Sequence, residues 1–253
     1  MATKVIDVSR WNGAIDFKKV KAAGITGVII KAGVTGYGAG HSMERDANFE
    51  TNYKNAKAAG LNVGAYYYSG AMSEAFAEKE AKYFLTLLKG KEFDLPVYMD
   101  VEETHSPTNM PSLGKAKLTS IVYKWCEIVE KAGYFVGFYT AKSWCNTYLN
   151  MNTLSRFTFW LAQWSSKPTY TGAYAMWQYT RDGSVSGISG RVDMNWCYQD
   201  FPTQIKQLWL NGYKKEADKR YKIEVYGATA KTMPIAVEAL RKAGFTAKVT
   251  EIK

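Results

Sequence analysis

Four stretches of this chain repeat one order of residue types: a helix-favouring run, a glycine, then a β-rich run. They are KAAGITGVII (21–30), KAAGLNVGAY (57–66), EKAGYFVGFY (130–139) and RKAGFTAKV (241–249). Glycine takes positive φ at little cost, so Gly24, Gly60, Gly133 and Gly244 are expected to terminate helices. A helix that stops and turns directly into a strand is the αβ half of a βαβ unit. Strands joined in this way are parallel.

Apolar runs place eight strands in the first two hundred residues, at 4–7, 28–31, 63–68, 96–101, 135–140, 157–163, 174–179 and 192–196. Helical patterns, among them 46–59, 73–88 and 118–132, separate the first five. The last three follow closely on one another, with little room for full helices. This spacing predicts an α/β barrel whose final third is mostly strand. At 253 residues and 47% hydrophobic side chains, the chain can bury one large core and carry a small appendage.

In such barrels the chemistry sits at the carboxyl ends of the strands. The run LPVYMDVEE ends in Asp100 and Glu102, whose D-x-E spacing points both carboxylates to one side of a strand. Strand interiors disfavour acids, and two like charges on one face cost energy, so a compensating use is expected. The plainer alternative is a strand leaving into a solvated acidic loop. A similar strand end occurs at the start, where VIDVSRW reaches Asp7 almost at once.

Other chemistries are poorly supplied. There are two histidines and no H-E-x-x-H or C-x-x-C pattern, which argues against a zinc hydrolase; no metal or cofactor is expected. Cys126, Cys145 and Cys197 are odd in number and lack metal spacing, so they read as reduced residues of the fold. Lys4, Asp7, Arg10 and Asp16 interrupt the first thirty residues, which hold no signal-peptide core, and no run reaches the length of a membrane span. No membrane insertion is expected, and the protein is predicted to be made in the cytoplasm without a signal peptide. The net charge of +10 points to an acidic partner. Half of it falls in residues 214–253, which hold ten Lys/Arg against five Asp/Glu. Nucleic acid, anionic membrane and acidic cell-wall polymer all suit that charge, as does a merely solvated helix face. No RNA-binding signature or basic recognition helix accompanies it, so nucleic acid is not expected as a partner.

Six ordered segments, DVSRWNG, PVYMDVEE, GFYT, WLAQW, MWQYT and RVDMNW, resemble the lysozyme-type muramidases of glycoside hydrolase family 25 over about residues 4–200. The resemblance implies an irregular (β/α)5β3 TIM-like barrel. It also implies hydrolysis, with retention, of the β-1,4 bond between N-acetylmuramic acid and N-acetylglucosamine in bacterial peptidoglycan. Carried over by position, Glu102 looks like the general acid, surrounded by Asp100, Asp7 and Asp193. One carboxyl must stay protonated near neutral pH, and nearby negative charge is expected to raise its pKa; the proton is assigned to Glu102. Retention can proceed through a carboxylate nucleophile or through the substrate's own acetamido group. The sequence leaves both routes open. Substrate assistance is preferred, with Asp100 holding the amide.

Tyr66, Tyr139, Trp164 and Trp177 lie near predicted strand ends, where flat rings stack on sugar faces; a core role is the alternative for each and is preferred for Trp177. Gln178 is expected to hydrogen-bond a sugar hydroxyl or to be a buried structural amide. Lys31 ends the second strand, where it would touch substrate or lower a neighbour's pKa. The family often has an acid shortly after that lysine, where this chain reads AGVTGYG. The role of that acid is therefore expected to be missing. His105 reads as a solvent-facing loop residue.

The expected organisation is a catalytic barrel over 1–205, a linker over 206–219 and a small basic βαβ module over 220–253. The module consists of RYKIEVYGA, a helix at 234–243 and GFTAKVTEIK, with alternating apolar residues Ile223, Val225, Ala247, Val249 and Ile252. Forty residues are too few for an independent core, so the unit must dock on the barrel or pair with other copies. It faintly looks like half of a SPOR-type peptidoglycan-binding module, which suggests wall targeting and a homo-oligomer. A catalytically silent glycan-binding barrel is the alternative function. A chitinase-like hydrolase fits less well, since its D-x-x-D-x-D-x-E strand is absent from PVYMDVEE. The expected setting is a phage endolysin, released to the wall by a holin, with a prophage or specially exported bacterial enzyme as the alternative.

Overall fold

The three glycine-terminated phrases that lie within the described residues end their helices as expected. The computed structural model describes residues 2–36, 42–102, 109–214 and 231–242. Gly24, Gly60 and Gly133 have φ of 86°, 72° and 89°, and their N–H groups bond the carbonyls of Lys21, Lys57 and Glu130. They close α1 (Phe17–Ala22), α2 (Phe49–Ala58) and α4 (Lys115–Lys131). Between the last two lies α3 (Glu74–Leu88), capped by Ser73, whose hydroxyl accepts from the Phe76 N–H at 3.2 Å. Such a cap is worth about 1 kcal/mol.

The strands are β1 (Thr3–Val8), β2 (Gly27–Thr35), β3 (Met43–Arg45), β4 (Asn62–Tyr68), β5 (Val97–Asp100), β6 (Val136–Ala141), β7 (Thr158–Ala162), β8 (Met176–Gly183) and β9 (Val192–Cys197). All but β3 form a ring in the order β1-β9-β8-β7-β6-β5-β4-β2, closed by pairing of β1 with β2. Pairs from β1 through β2, β4, β5, β6 and β7 to β8 are parallel, whereas β9 is antiparallel to both β8 and β1. This is the irregular (β/α)5β3 barrel. The short helices α5 (Lys142–Thr147) and α6 (Met151–Leu154) follow β6, and no helix separates β7, β8 and β9.

Alternation along the strands divides the core into two layers. Ile6, Val28, Val97, Met99 and Phe138 face outward and pack with the helices, while Val5, Ile29, Tyr98, Tyr139, Trp160 and Met176 fill the barrel. Space inside is tight: a Cβ on Gly137 would lie 2.1 Å from the Thr158 carbonyl oxygen, so no larger residue fits there without moving backbone. Strand β3, a three-residue hairpin partner of β2, was not anticipated, because MER carries no apolar alternation.

At the amino end of the barrel, α7 (Phe201–Gln207) inserts Phe201 and Ile205 into the inner core. The chain then turns through Asn211, fully buried at φ 57°, whose side chain accepts from the Phe135 N–H (2.6 Å) and donates to the Leu95 carbonyl (2.9 Å). Tyr213 donates its hydroxyl to Asp94 at 2.6 Å. This compact unit extends to Lys214. Residues 206–214, assigned from sequence to a linker, are therefore tied to the barrel by specific hydrogen bonds. A second unit begins at Lys215, and its described part is the helix α8 (Met233–Lys242). Both strands expected of the βαβ module lie outside the described residues. No described helix is long and apolar enough to cross a membrane.

Candidate active site

Strand direction gathers the acids. Asp7 is the penultimate residue of β1 and Asp100 the last of β5, so both reach the carboxyl end of the barrel. Glu102 follows two residues later with the same side-chain parity. Because β9 runs the other way, its second residue, Asp193, arrives at that same end and pairs directly with Asp7 in the register. These four acids line a cavity of about 230 Å³ together with Tyr66, Tyr139, Trp160, Trp164, Gln178 and Arg181. Of the acids, rings, amide and lysine singled out from sequence, all but Lys31 and Trp177 lie on this wall. Lys31 sits behind it, with its ammonium over the rings of Tyr68 (4.6 Å) and Tyr66 (5.7 Å).

A hydrogen-bonded chain holds the cavity in shape. Tyr139 (3.0 Å) and the exposed indole of Trp164 (2.9 Å) both donate to Gln178 Oε1. Gln178 Nε2 in turn donates to Asp7 Oδ2 at 3.1 Å, and Asn195 Nδ2 donates to the same oxygen at 2.8 Å. Asn195 Oδ1 accepts from Trp160 Nε1 at 2.8 Å. Trp160, nearly fully buried, packs its ring against Tyr139 at 4.7 Å and Tyr98 at 5.2 Å. Gln178 is thus buried and joins the aromatic rim to Asp7. Trp177 lies outside the cavity, packed in the outer layer with its Nε1 on the Gln163 carbonyl at 2.8 Å.

Burial governs the protonation of the acids. Glu102 is pushed from 4.5 to about 7, first by desolvation, against the pull of Lys31, with Asp7 adding to the rise. Neighbouring negative charge does raise Glu102, through Asp7, but burial comes first. Asp100 is raised well above the usual carboxylate range by desolvation and then by Glu102, Asp7 and Asp193, while Lys31 opposes. Its Oδ1 is buried and has no hydrogen-bond partner among the described residues. Asp193 is pushed up to about 9 by desolvation and by its contact with Asp7, which it hydrogen-bonds. Asp193 is thereby driven toward its neutral form, and desolvation raises Asp7 as well. The proton assigned to Glu102 alone is therefore contested, since Asp100 is buried more deeply and is also driven toward its neutral form.

An acid does reach Lys31 from further along the chain. The β2–β3 hairpin brings back Asp46, whose N–H bonds the Ala32 carbonyl at 3.0 Å and whose charge supports that of Lys31, after Asp100. Asp46 also accepts from the Arg10 and Asn48 N–H groups at 3.0 and 2.9 Å. Sequence reasoning missed Trp160, Asn195 and Arg181. The first two were legible: Trp160 opens the WLAQW segment, and Asn195 follows Asp193 at the two-residue spacing of one strand face. Arg181 carried no such signal, because a register shift between Gln178 and Thr180 breaks the alternation of β8. His105, with residues 103–108, lies outside the described residues.

Comparison with known proteins is consistent with this geometry. The family model for glycosyl hydrolases family 25 matches residues 6–188. The autolytic lysozyme of Clostridium acetobutylicum is 32% identical over 197 residues, a match that takes in 76% of this chain and 55% of that protein. The chain thus spans little more than half of that relative's length. Among solved structures, the CTP1L endolysin is similar at 31% identity and a TM-score of 0.68, covering 81% of this chain and 70% of its own. The modular autolysin LytC from Streptococcus pneumoniae, in complex with a synthetic peptidoglycan ligand, is similar at 30% identity and a TM-score of 0.70, covering 78% and 47%.

Proposed function

Because this chain belongs to glycosyl hydrolases family 25, we propose that it hydrolyses bacterial peptidoglycan at the β-1,4 bond from N-acetylmuramic acid to N-acetylglucosamine, with retention at the anomeric carbon. The observation that carries this reading is the half-buried Glu102, raised to about 7 in the cavity beside an Asp100 whose Oδ1 has no partner among the described residues. A group that titrates near neutral pH suits general acid and base work.

In this reading the acetamido N–H of the bound sugar donates to Asp100 Oδ1. That bond favours the ionised form of Asp100 and leaves the proton on Glu102. Glu102 then gives it to the leaving glycosidic oxygen as the acetamido oxygen attacks the anomeric carbon. Water opens the resulting oxazolinium ring and returns a proton to Glu102. Asp7, with Asp193 beside it, holds negative charge near the developing oxocarbenium ion, and Gln178 fixes Asp7. Tyr66, Tyr139 and Trp164 offer faces to the sugar rings, and Lys31 limits how far the pKa of Glu102 rises. A covalent glycosyl-enzyme in a mass spectrum would replace the acetamido route with a carboxylate nucleophile.

The test is digestion of purified Gram-positive peptidoglycan by wild type and Glu102→Gln, followed by borohydride reduction and mass spectrometry. New reducing ends on N-acetylmuramic acid, lost in the variant, are expected. Ends on N-acetylglucosamine would refute the bond assignment. No cleavage of several wall types by folded protein would favour a silent glycan-binding barrel.

The similarity to an endolysin supports a setting in which the enzyme acts on the wall after holin-dependent release from a host cytoplasm. The basic segment 214–253 is proposed to bind wall polymer and to associate with other copies. Wall binding unchanged on its deletion, or a strictly monomeric sedimentation profile, would remove the respective part.

A further inference from the structure

Arg181 is the cavity residue that the scheme above leaves without a task. It follows a register shift in β8 that turns its side chain, with that of Gln178, toward the cavity. Its guanidinium lies over the ring of Trp164, 4.4 Å from the centroid. Trp164 is itself held by its bond to Gln178, so the cation rests on a fixed and half-exposed platform. Among the described residues no carboxylate lies within 4 Å of the Arg181 nitrogens. The nearest in sequence, Asp182, is engaged by Arg191 at 2.8 Å.

The charge pattern of the cavity limits where an anion can sit. Asp7, Asp100, Glu102 and Asp193 make its floor acidic. The other cation, Lys31, is three strands away round the barrel and faces Asp100, Asp46 and Glu102. An anionic substituent on a bound glycan would be repelled by the floor and could settle only at the rim, where Arg181 presents its fork of donors. We propose that Arg181, seated on Trp164, recognises a carboxylate carried on the glycan strand and makes the enzyme prefer carboxylate-bearing strands. This rests on the peptidoglycan hydrolase reading. The same chemistry has two sources, the free lactyl carboxylate of peptide-free muramic acid and the carboxylates of the stem peptide.

Wild type, Arg181→Gln and Arg181→Lys of the full chain are compared on peptide-bearing strands and on strands freed of peptide by an amidase. Each is used as such and after capping its carboxyls as methylamides. The readout is the ratio of kcat/KM on uncapped to capped strands, from new reducing ends. Gln keeps a planar group over Trp164 without the charge. It is expected to lower the ratio about fivefold, mostly through KM, as suits one exposed ionic contact. Lys is expected to retain part of the preference. The strand type in which the ratio moves identifies the source of the carboxylate. A ratio unmoved in both strand types, or equal losses on capped and uncapped strands, would overturn the proposal. Wild type cleaving no strand at all would instead remove the hydrolase reading.

Discussion

Glu80 of α3 is fully buried, and no cation is among the groups that act on it. Its carboxylate accepts from the Thr35 hydroxyl (2.5 Å), the Ser69 hydroxyl (2.6 Å) and the Gly70 N–H (2.9 Å). It so ties the end of β2 and the loop after β4 to α3. The Ser69 N–H, in turn, bonds the carbonyl of Asp100 at 3.1 Å, which connects the cluster to the candidate active site. Burial raises the Glu80 carboxyl from 4.5 to about 7 despite these bonds. A group whose folded pKa is raised contributes stability that is complete below its unfolded pKa and is lost as pH rises to the folded one. The window therefore runs from 4.5 to about 7. At about 1.4 kcal/mol per pH unit, the loss across it is about 3 kcal/mol. Glu80→Gln removes the titration while keeping an acceptor for Gly70 and a polar partner for the hydroxyls. Its stability relative to wild type should rise by about 3 kcal/mol between pH 4 and pH 8, measured by urea unfolding at both. A constant offset from a misfit amide would not alter that slope. A stability difference independent of pH would refute the reasoning, since it would mean that Glu80 keeps one protonation state throughout.

Hydrolysis should lose its acid as Glu102 ionises, so kcat/KM is expected to fall as pH rises through about 7. Glu102→Gln should lower kcat by about 10²- to 10⁴-fold and abolish that limb, and a limb unchanged in a variant with residual activity would assign it elsewhere. Asn195→Leu strips Asp7 and Trp160 of partners in a buried setting; a loss of about 2–4 kcal/mol in urea unfolding and a marked fall in kcat are expected. Asn211→Ala removes the contacts to Phe135 and Leu95 and leaves a non-glycine residue at positive φ. It should cost about 2–4 kcal/mol, and Asn211→Gly less, because the glycine relieves the backbone strain; equal losses in thermal unfolding would show that strain plays no part.

Local rules were enough to read the frame of this protein. Gly24, Gly60 and Gly133 announce helix ends because positive φ is a property of one residue and its neighbours, and apolar runs place eight barrel strands, whose period-two alternation is equally local. The same periodicity set Asp100 and Glu102 on one face before any strand was seen. Other features depended on contacts between distant segments. The antiparallel direction of β9 brings Asp193 to Asp7, and the β2–β3 hairpin brings Asp46 toward Lys31 where the segment after that lysine has no acid. Residues 206–214 read as part of a linker, yet Asn211 and Tyr213 find partners on the barrel. The irregularity in β8 aims Arg181 at the cavity against its parity. Protonation was the least legible of all: an acid's pKa in this site follows first from how much water the fold removes, and desolvation exists only once the barrel has closed.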